Sequence, residues 1–196
     1  MVKAALTGNY GGGKTFILKL FREMGAFTLS ADGLVEELLK NCSVQEEIRK
    51  VAGNGHFDCK KDLPVVKERL AELIFSDPEI RRKVEDILHP LVLKEIEAAL
   101  RKVKADMAVI EVPLLFEKGY EARFDKTIAV YASDETAIKR LGKAGIPPSD
   151  AIRRLAAQMP ISEKVKRADY VINNESSPEE TKKQVKKIYR EMLAPR

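Results

Sequence analysis

The chain has 196 residues, of which 44% are hydrophobic and 33% charged, enough for one packed domain with a well-solvated surface. Its 35 basic and 30 acidic residues give a formal charge of +5, which suits an anionic small-molecule substrate as well as a nucleic acid. Only 6% of the residues are aromatic, so a platform that stacks bases is not expected. No apolar run approaches the ~20 residues that span a membrane.

Two features favour a cytoplasmic protein. Residues 8–14 interrupt any apolar stretch that could serve as a signal peptide. The two cysteines, Cys42 and Cys59, have no CxxC or Cys/His spacing, so we interpret them as free thiols in a reducing compartment, not as a disulfide or a metal site. With no apolar run long enough to span a membrane, we expect no membrane partner. The low aromatic content leads us to expect no nucleic-acid partner.

The first predicted elements form a strand–loop–helix–strand unit. Residues 2–6 are a short apolar run, and a glycine-rich loop follows it. Apolar residues then recur at helical spacing until Gly25, which ends the helix. Residues 26–32 predict a second strand that ends at Asp32. This order is the opening of an α/β fold with a parallel sheet.

The middle of the chain, residues 33–104, is helical in pattern and predicts an insertion between the second and third strands. Asn54-Gly55 and Asp77-Pro78 mark turns within it. The predicted amphipathic segments are 34–40, 44–51, 64–75, 78–88 and 90–103.

The last third returns to strands and completes a predicted sheet of five parallel strands flanked by helices. Pro113 interrupts the third strand, and Ser177 and Pro178 stand as cap and first residue of a closing helix. The predicted strands are 107–112, 126–133 and 168–174. We expect one P-loop unit with a core of residues 1–32 and 105–196, the insertion, and a lid at about 140–160.

Residues 8–15 read GNYGGGKT and satisfy G-x-x-x-x-G-K-[ST] in full. Glycines leave no Cβ in the way of a phosphate chain that must approach backbone N–H groups, and the following helix directs its N-terminal amides at the anion. Lys14 would reach the β- and γ-phosphates, and the Thr15 hydroxyl would ligate Mg²⁺. The alternative, a glycine-rich turn with a chance lysine, does not account for the strand before the loop and the helix after it.

Asp32 has two interpretations that the residues alone do not separate. Ligands bind beyond the carboxyl ends of strands in doubly wound sheets, so this carboxylate could accept a proton from an attacking hydroxyl. It could equally be the N-cap of a helix over residues 33–40.

Other candidates are less specific. His89 lies before Pro90, between two helical patterns, where a histidine is usually packed or capping. Glu111 lies inside an apolar strand and would need a partner or a metal. Basic residues around the 142–148 segment, Arg140 among them, suit a lid over phosphates, although each taken singly is more often part of a solvated face.

In its ordered motifs the chain resembles the dephospho-CoA kinase family along nearly its whole length. The phosphate loop is common to many NTPases, whereas HP at 89–90, PLLFE at 113–117 and ADYVINN at 168–174 are more specific. The further matching motifs are SAD ending at Asp32, LAELIF at 70–75, RL at 140–141, AAQM containing Gln158, and Lys164. The chain departs from the family pattern at Ser30, Thr15, Lys67 and Lys143.

The resemblance implies phosphorylation of the ribose 3′-hydroxyl of dephospho-CoA by ATP with Mg²⁺, on a core like that of nucleoside monophosphate kinases. It implies Lys14, Asp32 as general base and Arg140 as catalytic residues, with Thr15 at the metal. The implied nucleotide-binding residues are Gly8, Gly11, Gly12, Gly13, Lys14, Thr15, Phe16 and Asn174. The implied acceptor-binding residues are Asp32, Lys67, Phe75, His89, Pro113, Leu114 and Glu117.

Three alternatives stay open beside this interpretation. One is a kinase of the same architecture that acts on a nucleoside monophosphate or another small metabolite. A GTPase-like switch would need D-x-x-G after the third strand and N-K-x-D, and neither occurs. A nucleotide-binding relative without turnover is supported only by the Lys67 and Lys143 departures. The expected assembly is a monomer or a small homo-oligomer.

Overall fold

The computed structural model describes residues 1–52, 70, 74 and 77–194 of the chain. Five parallel strands form one sheet in the order β2-β3-β1-β4-β5. The strands are β1 (Val2–Gly8), β2 (Phe27–Ser30), β3 (Met107–Glu111), β4 (Lys126–Tyr131) and β5 (Tyr170–Asn173). The expected five-stranded parallel sheet is therefore confirmed, with β1 at its centre and the phosphate loop directly after β1.

The chain divides into two compact units. One consists of residues 1–30 and 103–196 and contains the sheet; the other consists of residues 31–102. The sheet unit carries the helices α1 (Lys14–Glu23), α5 (Asp134–Lys143), α6 (Pro148–Ala156), α7 (Ile161–Arg167) and α8 (Pro178–Leu193), with a 3-10 turn at Glu121–Arg123. The helical unit contains α2 (Ala31–Leu38), α3 (Cys42–Ala52) and α4 (Pro78–Lys102).

The core of the sheet unit lies where α1 and α8 pack against the central strands. β3 is buried at all five positions, as expected of a parallel strand covered on both faces. Phe21 of α1 is fully buried, and its ring centroid lies 6.4 Å from that of Tyr189 in α8. Ser177 caps α8 by accepting a hydrogen bond from the Glu180 amide, and Pro178 is its first residue, as predicted.

The start of β5 is fastened to β4 by one carboxylate. Asp169 accepts hydrogen bonds from the amide and the hydroxyl of Thr127, both at 2.8 Å. Burial acts to raise the pKa of Asp169, but these hydrogen bonds and the charge of Lys126 outweigh it and lower the pKa. This part of the ADYVINN motif therefore fixes strand register.

The helical unit is held by an apolar seam. α4 presents buried residues every fourth position, at Val84, Leu88, Val92 and Ile96. The helices α2 to α4 enclose a cluster that includes Leu39, Val44, Ile48, Ala52, Leu70, Val84 and Leu88. No helix among the described residues is long and apolar enough to cross a membrane.

Three expectations from the sequence need correction. β2 ends at Ser30, and Asp32 lies in the first turn of α2, because the helix begins directly after the strand without a connecting loop. The predicted break at His89-Pro90 is absent: both residues lie inside the 25-residue α4, since the apolar seam continues across the proline. Helix α7 follows Pro160 and was not predicted.

Candidate active site around the phosphate loop

The loop between β1 and α1 presents the N-terminus of a helix at the carboxyl edge of the sheet. The N-cap residue of α1 is Gly13, with φ of 92° and no side-chain capping bond. The first-turn amides of a helix have no partners within it, so their N–H groups and the positive end of the helix dipole are available to an anion. This is the geometry that binds phosphate.

Two glycines in the loop are required by close approach of neighbouring groups. A Cβ on Gly13 would collide with the Asn174 side-chain nitrogen, and one on Gly12 would collide with the Asn9 side-chain oxygen. The Asn174 amide donates to the Gly12 carbonyl at 2.9 Å, and its oxygen accepts from the Thr181 hydroxyl at 3.1 Å. Glycine at these two positions therefore lets Asn9 and Asn174 pack directly against the loop backbone.

Lys14 is buried against the loop from which it projects. Its ammonium donates to the carbonyl oxygens of Gly8 at 3.2 Å and Asn9 at 3.1 Å, and only 8% of the residue is exposed. The charge is therefore held inside the loop, where it can meet a phosphate chain.

Arg140 of α5 reaches the same loop from the other side. One guanidinium nitrogen donates to the Asn174 carbonyl at 2.6 Å. A second guanidinium nitrogen, Nη1, is buried with no hydrogen-bond partner. It lies 3.7 Å from the position that a Cβ on Gly13 would take. A buried donor without a partner is costly, so an anion at the loop is the fitting acceptor.

The predicted lid is attached to the loop by Tyr10. The Tyr10 amide donates to the Gln158 side-chain oxygen at 2.9 Å. Arg154 of α6 donates to the Tyr10 hydroxyl at 3.1 Å, and its guanidinium lies 5.2 Å from the centre of the Tyr10 ring. Two residues, one on either side of the end of α6, therefore contact one loop residue, Gln158 through the backbone of Tyr10 and Arg154 through its side chain.

The 113–117 segment follows β3 and lies beside the end of β1. The Thr7 hydroxyl donates to the Pro113 carbonyl at 3.1 Å. Lys164, which is completely buried, donates to the same carbonyl at 2.8 Å and pairs with Glu117 at 2.9 Å. Burial lowers the pKa of the Lys164 ammonium, and the hydrogen bond and charge of Glu117 oppose that shift.

The remaining predicted residues are distributed as follows. Thr15 and Phe16 are exposed in the first turn of α1, and Leu114 is half-buried. Asp32 is exposed in the first turn of α2, and His89 is half-buried in α4; both belong to the helical unit. Lys67 and Phe75 lie outside the described residues.

The family is decided by a sequence profile described as dephospho-CoA kinase, which matches residues 2–180. A dephospho-CoA kinase of Aquifex aeolicus is 43% identical over 194 residues, covering 98% of each chain. The chain belongs to the dephospho-CoA kinase family.

Solved structures agree with this family fold. A crystal structure of a Thermus thermophilus protein matches with a TM-score of 0.87 and 31% identity, covering 99% of this chain and 98% of that one. A dephospho-CoA kinase of Campylobacter jejuni has the same fold, with a TM-score of 0.67 at 23% identity over 97% of this chain and 96% of that one. The predicted fold class and family are both confirmed.

Sequence reasoning missed several contacts in this member of the dephospho-CoA kinase family. Asn9 is 2% exposed and donates to the Ala132 carbonyl at 3.1 Å, although its loop position accepts any residue in the motif. Tyr10 occupies a similar position and contacts Arg154 and Gln158. Lys164 was matched to the family motif without a role, and its burial could not be read from a helix rich in lysine and glutamate.

Proposed function

We propose that this protein is a dephospho-CoA kinase, which transfers the γ-phosphoryl group of ATP to the ribose 3′-hydroxyl of dephospho-CoA and so produces coenzyme A. The observation that carries the proposal is the phosphate loop at the carboxyl edge of the sheet, in a chain that the family profile matches over residues 2–180. Because this reaction needs little covalent chemistry from the protein, catalysis consists of positioning and charge stabilisation.

ATP would lie with its phosphates in the cradle of residues 11–16. The unpartnered amides and positive dipole end at the N-terminus of α1 support this placement. Lys14 would stabilise charge on the transferred group, and Arg140 Nη1 would donate to the phosphates. The exposed Thr15 hydroxyl would hold Mg²⁺, which neutralises charge on the β- and γ-phosphates when it is bound.

Asp32 would orient and deprotonate the acceptor hydroxyl. Its carboxylate is exposed and lies two residues beyond the carboxyl end of β2, the edge at which open α/β sheets bind ligands. Its place in the first turn of α2 also suits a stabilising interaction with the helix dipole. The two roles are compatible, and the substitution described in the Discussion separates them.

For the acceptor we propose the residues that the family resemblance implies, some in the sheet unit and some in the helical unit. Pro113 and Leu114 are half-buried at the carboxyl edge of the sheet, and His89 is half-buried in α4. The basic and apolar composition of residues 60–75 suits a substrate that joins a diphosphate to a long, weakly polar arm. Binding that remote arm can be used to orient the reacting hydroxyl. We propose a cytoplasmic enzyme that acts as a monomer or small homo-oligomer.

The test is a coupled assay with MgATP and four acceptors: dephospho-CoA, AMP, CMP and adenosine. We expect the highest kcat/KM for dephospho-CoA, a loss of kcat as well as affinity with adenosine, and no turnover when EDTA removes the divalent cation. A preference for AMP or CMP would replace the proposal by a nucleoside monophosphate kinase. ATP binding without transfer to any acceptor would leave a binding protein.

A further inference from the structure

A buried ammonium closes the 113–117 segment on itself. Lys164 of α7 donates to the carbonyl of Pro113 at 2.8 Å and to the carboxylate of Glu117 at 2.9 Å. These acceptors are the first and last residues of the segment. One side chain from a distant helix therefore fixes both ends of a five-residue turn.

Two further hydrogen bonds join the ends of the segment to neighbouring parts of the sheet unit. The Pro113 carbonyl, which accepts from Lys164, also accepts from the hydroxyl of Thr7, the residue before Gly8 in β1. Glu117 Oε1 also accepts from the Met159 amide at 3.0 Å, just after α6. Lys164 and Glu117 therefore hold the segment to α7 and to the residue after α6, while Lys164 shares its Pro113 acceptor with β1.

Contact with a substrate does not explain this pair. The Lys164 side chain is completely buried, so its ammonium is not available to a substrate, and Glu117 Oε1 is occupied by Lys164 and by the Met159 amide. A buried ion pair is also weak evidence for a role in stability, because such pairs can often be replaced by apolar residues without loss of stability. What an ion pair adds over an apolar contact is a defined geometry.

We propose that Lys164 and Glu117 are positioning residues that set the distance between the 113–117 segment and the phosphate loop. The segment follows β3, whose Glu111 lies beside Leu6 of β1, so it stands next to the strand that leads into the loop. The inference rests on the proposed function, because an acceptor must approach loop-bound ATP along this edge. A displacement of about 1 Å at a reacting centre can cost about 10²-fold in rate.

The decisive variant is the double substitution Lys164→Met with Glu117→Gln. Lys164→Met alone leaves a buried carboxylate without its cation and is expected to be poorly folded. The added Glu117→Gln removes that charge while keeping an oxygen for the Met159 amide. Glu117→Gln alone leaves both acceptors of Lys164 in place and gives a folded variant if the double substitution is unstable. Lys166→Met, a change of an exposed lysine on the same helix, is the matched control.

For the double variant we expect kcat/KM for dephospho-CoA to fall about 10- to 100-fold while KM for ATP changes less than about twofold. Glu117→Gln should show a smaller change in the same direction, and Lys166→Met should behave as wild type. Wild-type kinetics in the folded double variant would overturn the proposal. An increase in KM for ATP, or an equal rise in both KM values, would also overturn it.

Hydrogen exchange separates failure of this inference from failure of the proposed function. The amides of Lys118 and Tyr120 donate to Leu114 and Leu115, so they report on the segment without any substrate. We expect them to exchange about tenfold faster in the double variant than in wild type or Lys166→Met. If the wild-type protein does not phosphorylate dephospho-CoA but the double variant still exchanges faster, only the proposed function is wrong. If these amides exchange at the same rate in the double variant and in wild type, the positioning role is overturned.

Discussion

The sheet unit and the helical unit differ in the interactions that we expect to matter most inside each of them. Around the phosphate loop, polar side chains join residues far apart in the chain: Asn174 bonds to Gly12, 162 positions away, and Gln158 bonds to Tyr10, 148 positions away. In the helical unit, Arg81 and Glu85 form an ion pair between residues only four positions apart. The buried cluster of this unit is apolar. Precise positioning therefore comes from the polar network, whereas the helical unit depends on apolar burial.

The largest effect is expected at Asp32, where the helical unit begins. Asp32→Asn keeps the shape of the side chain but removes the base, so turnover should fall about 10²–10⁴-fold. The loss of a favourable helix-dipole interaction should cost only about 0.3–1 kcal/mol in stability. Steady-state kinetics and thermal unfolding measure the two effects, and a lower melting temperature with intact turnover would leave Asp32 only its interaction with the helix dipole.

The next effect tests the charge at the phosphate loop. Lys14→Ala should reduce turnover about 10²–10³-fold, the scale for loss of one charge-stabilising donor. Lys19→Ala, an exposed change on the same helix, is the control and should retain wild-type activity. Unchanged turnover in a folded Lys14→Ala protein would remove Lys14 from its proposed role.

The apolar seam of the helical unit should respond to a cavity more than to a lost charge. Ile48 is completely buried, so Ile48→Ala should lower the free energy of unfolding by about 2–5 kcal/mol. Lys83→Ala, which removes a surface pair with Glu79, should lower the free energy of unfolding far less, because both side chains are exposed. Denaturant titration compares the two variants, and equal losses would contradict the dependence of the helical unit on apolar burial.

A fourth prediction tests the close packing of Asn174 against Gly13. Gly13→Ala places a methyl group against Asn174 in a backbone conformation that alanine disfavours, which should cost about 1–3 kcal/mol and raise KM for ATP. Gly142 of α5 has open space at its Cβ position, so Gly142→Ala should stabilise the protein by up to about 1 kcal/mol. Equal stability and ATP affinity in the two variants would show that the close packing at Gly13 is dispensable.

The smallest effect concerns pH. Since the folded-state pKa of Asp169 is lowered, its contribution to stability is fully present above its ordinary value of 3.8 and is lost as pH falls through the folded-state pKa below it. The group is exposed, so the contribution should stay under about 1 kcal/mol. Asp169→Asn should therefore narrow the difference in unfolding free energy between neutral and acid pH. A wider difference in the variant would contradict the lowered pKa.

Much of the sheet unit could be predicted from local pattern. The central strand, the loop and α1 follow from an apolar run, a glycine motif and helical spacing, each readable within about ten residues. The end of β2 and the continuity of α4 could not be predicted. At Ser30 the strand passes directly into a helix, and at Pro90 the buried seam maintains a helix that proline alone would interrupt.

The sequence by itself determined the family, the fold class and the phosphate loop, because these reside in contiguous motifs whose chemistry depends on residue type and spacing. The roles of Asp32 and of the acceptor-side residues stay predictions. Only the tertiary structure decided which distant residues meet. At the phosphate loop these are Arg140 with Asn174 and Gln158 with the backbone of Tyr10, and at the 113–117 segment they are Lys164 and Glu117. These contacts join residues that are far apart in the chain. Their distances and burial depend on how the strands and helices pack, which no local pattern records.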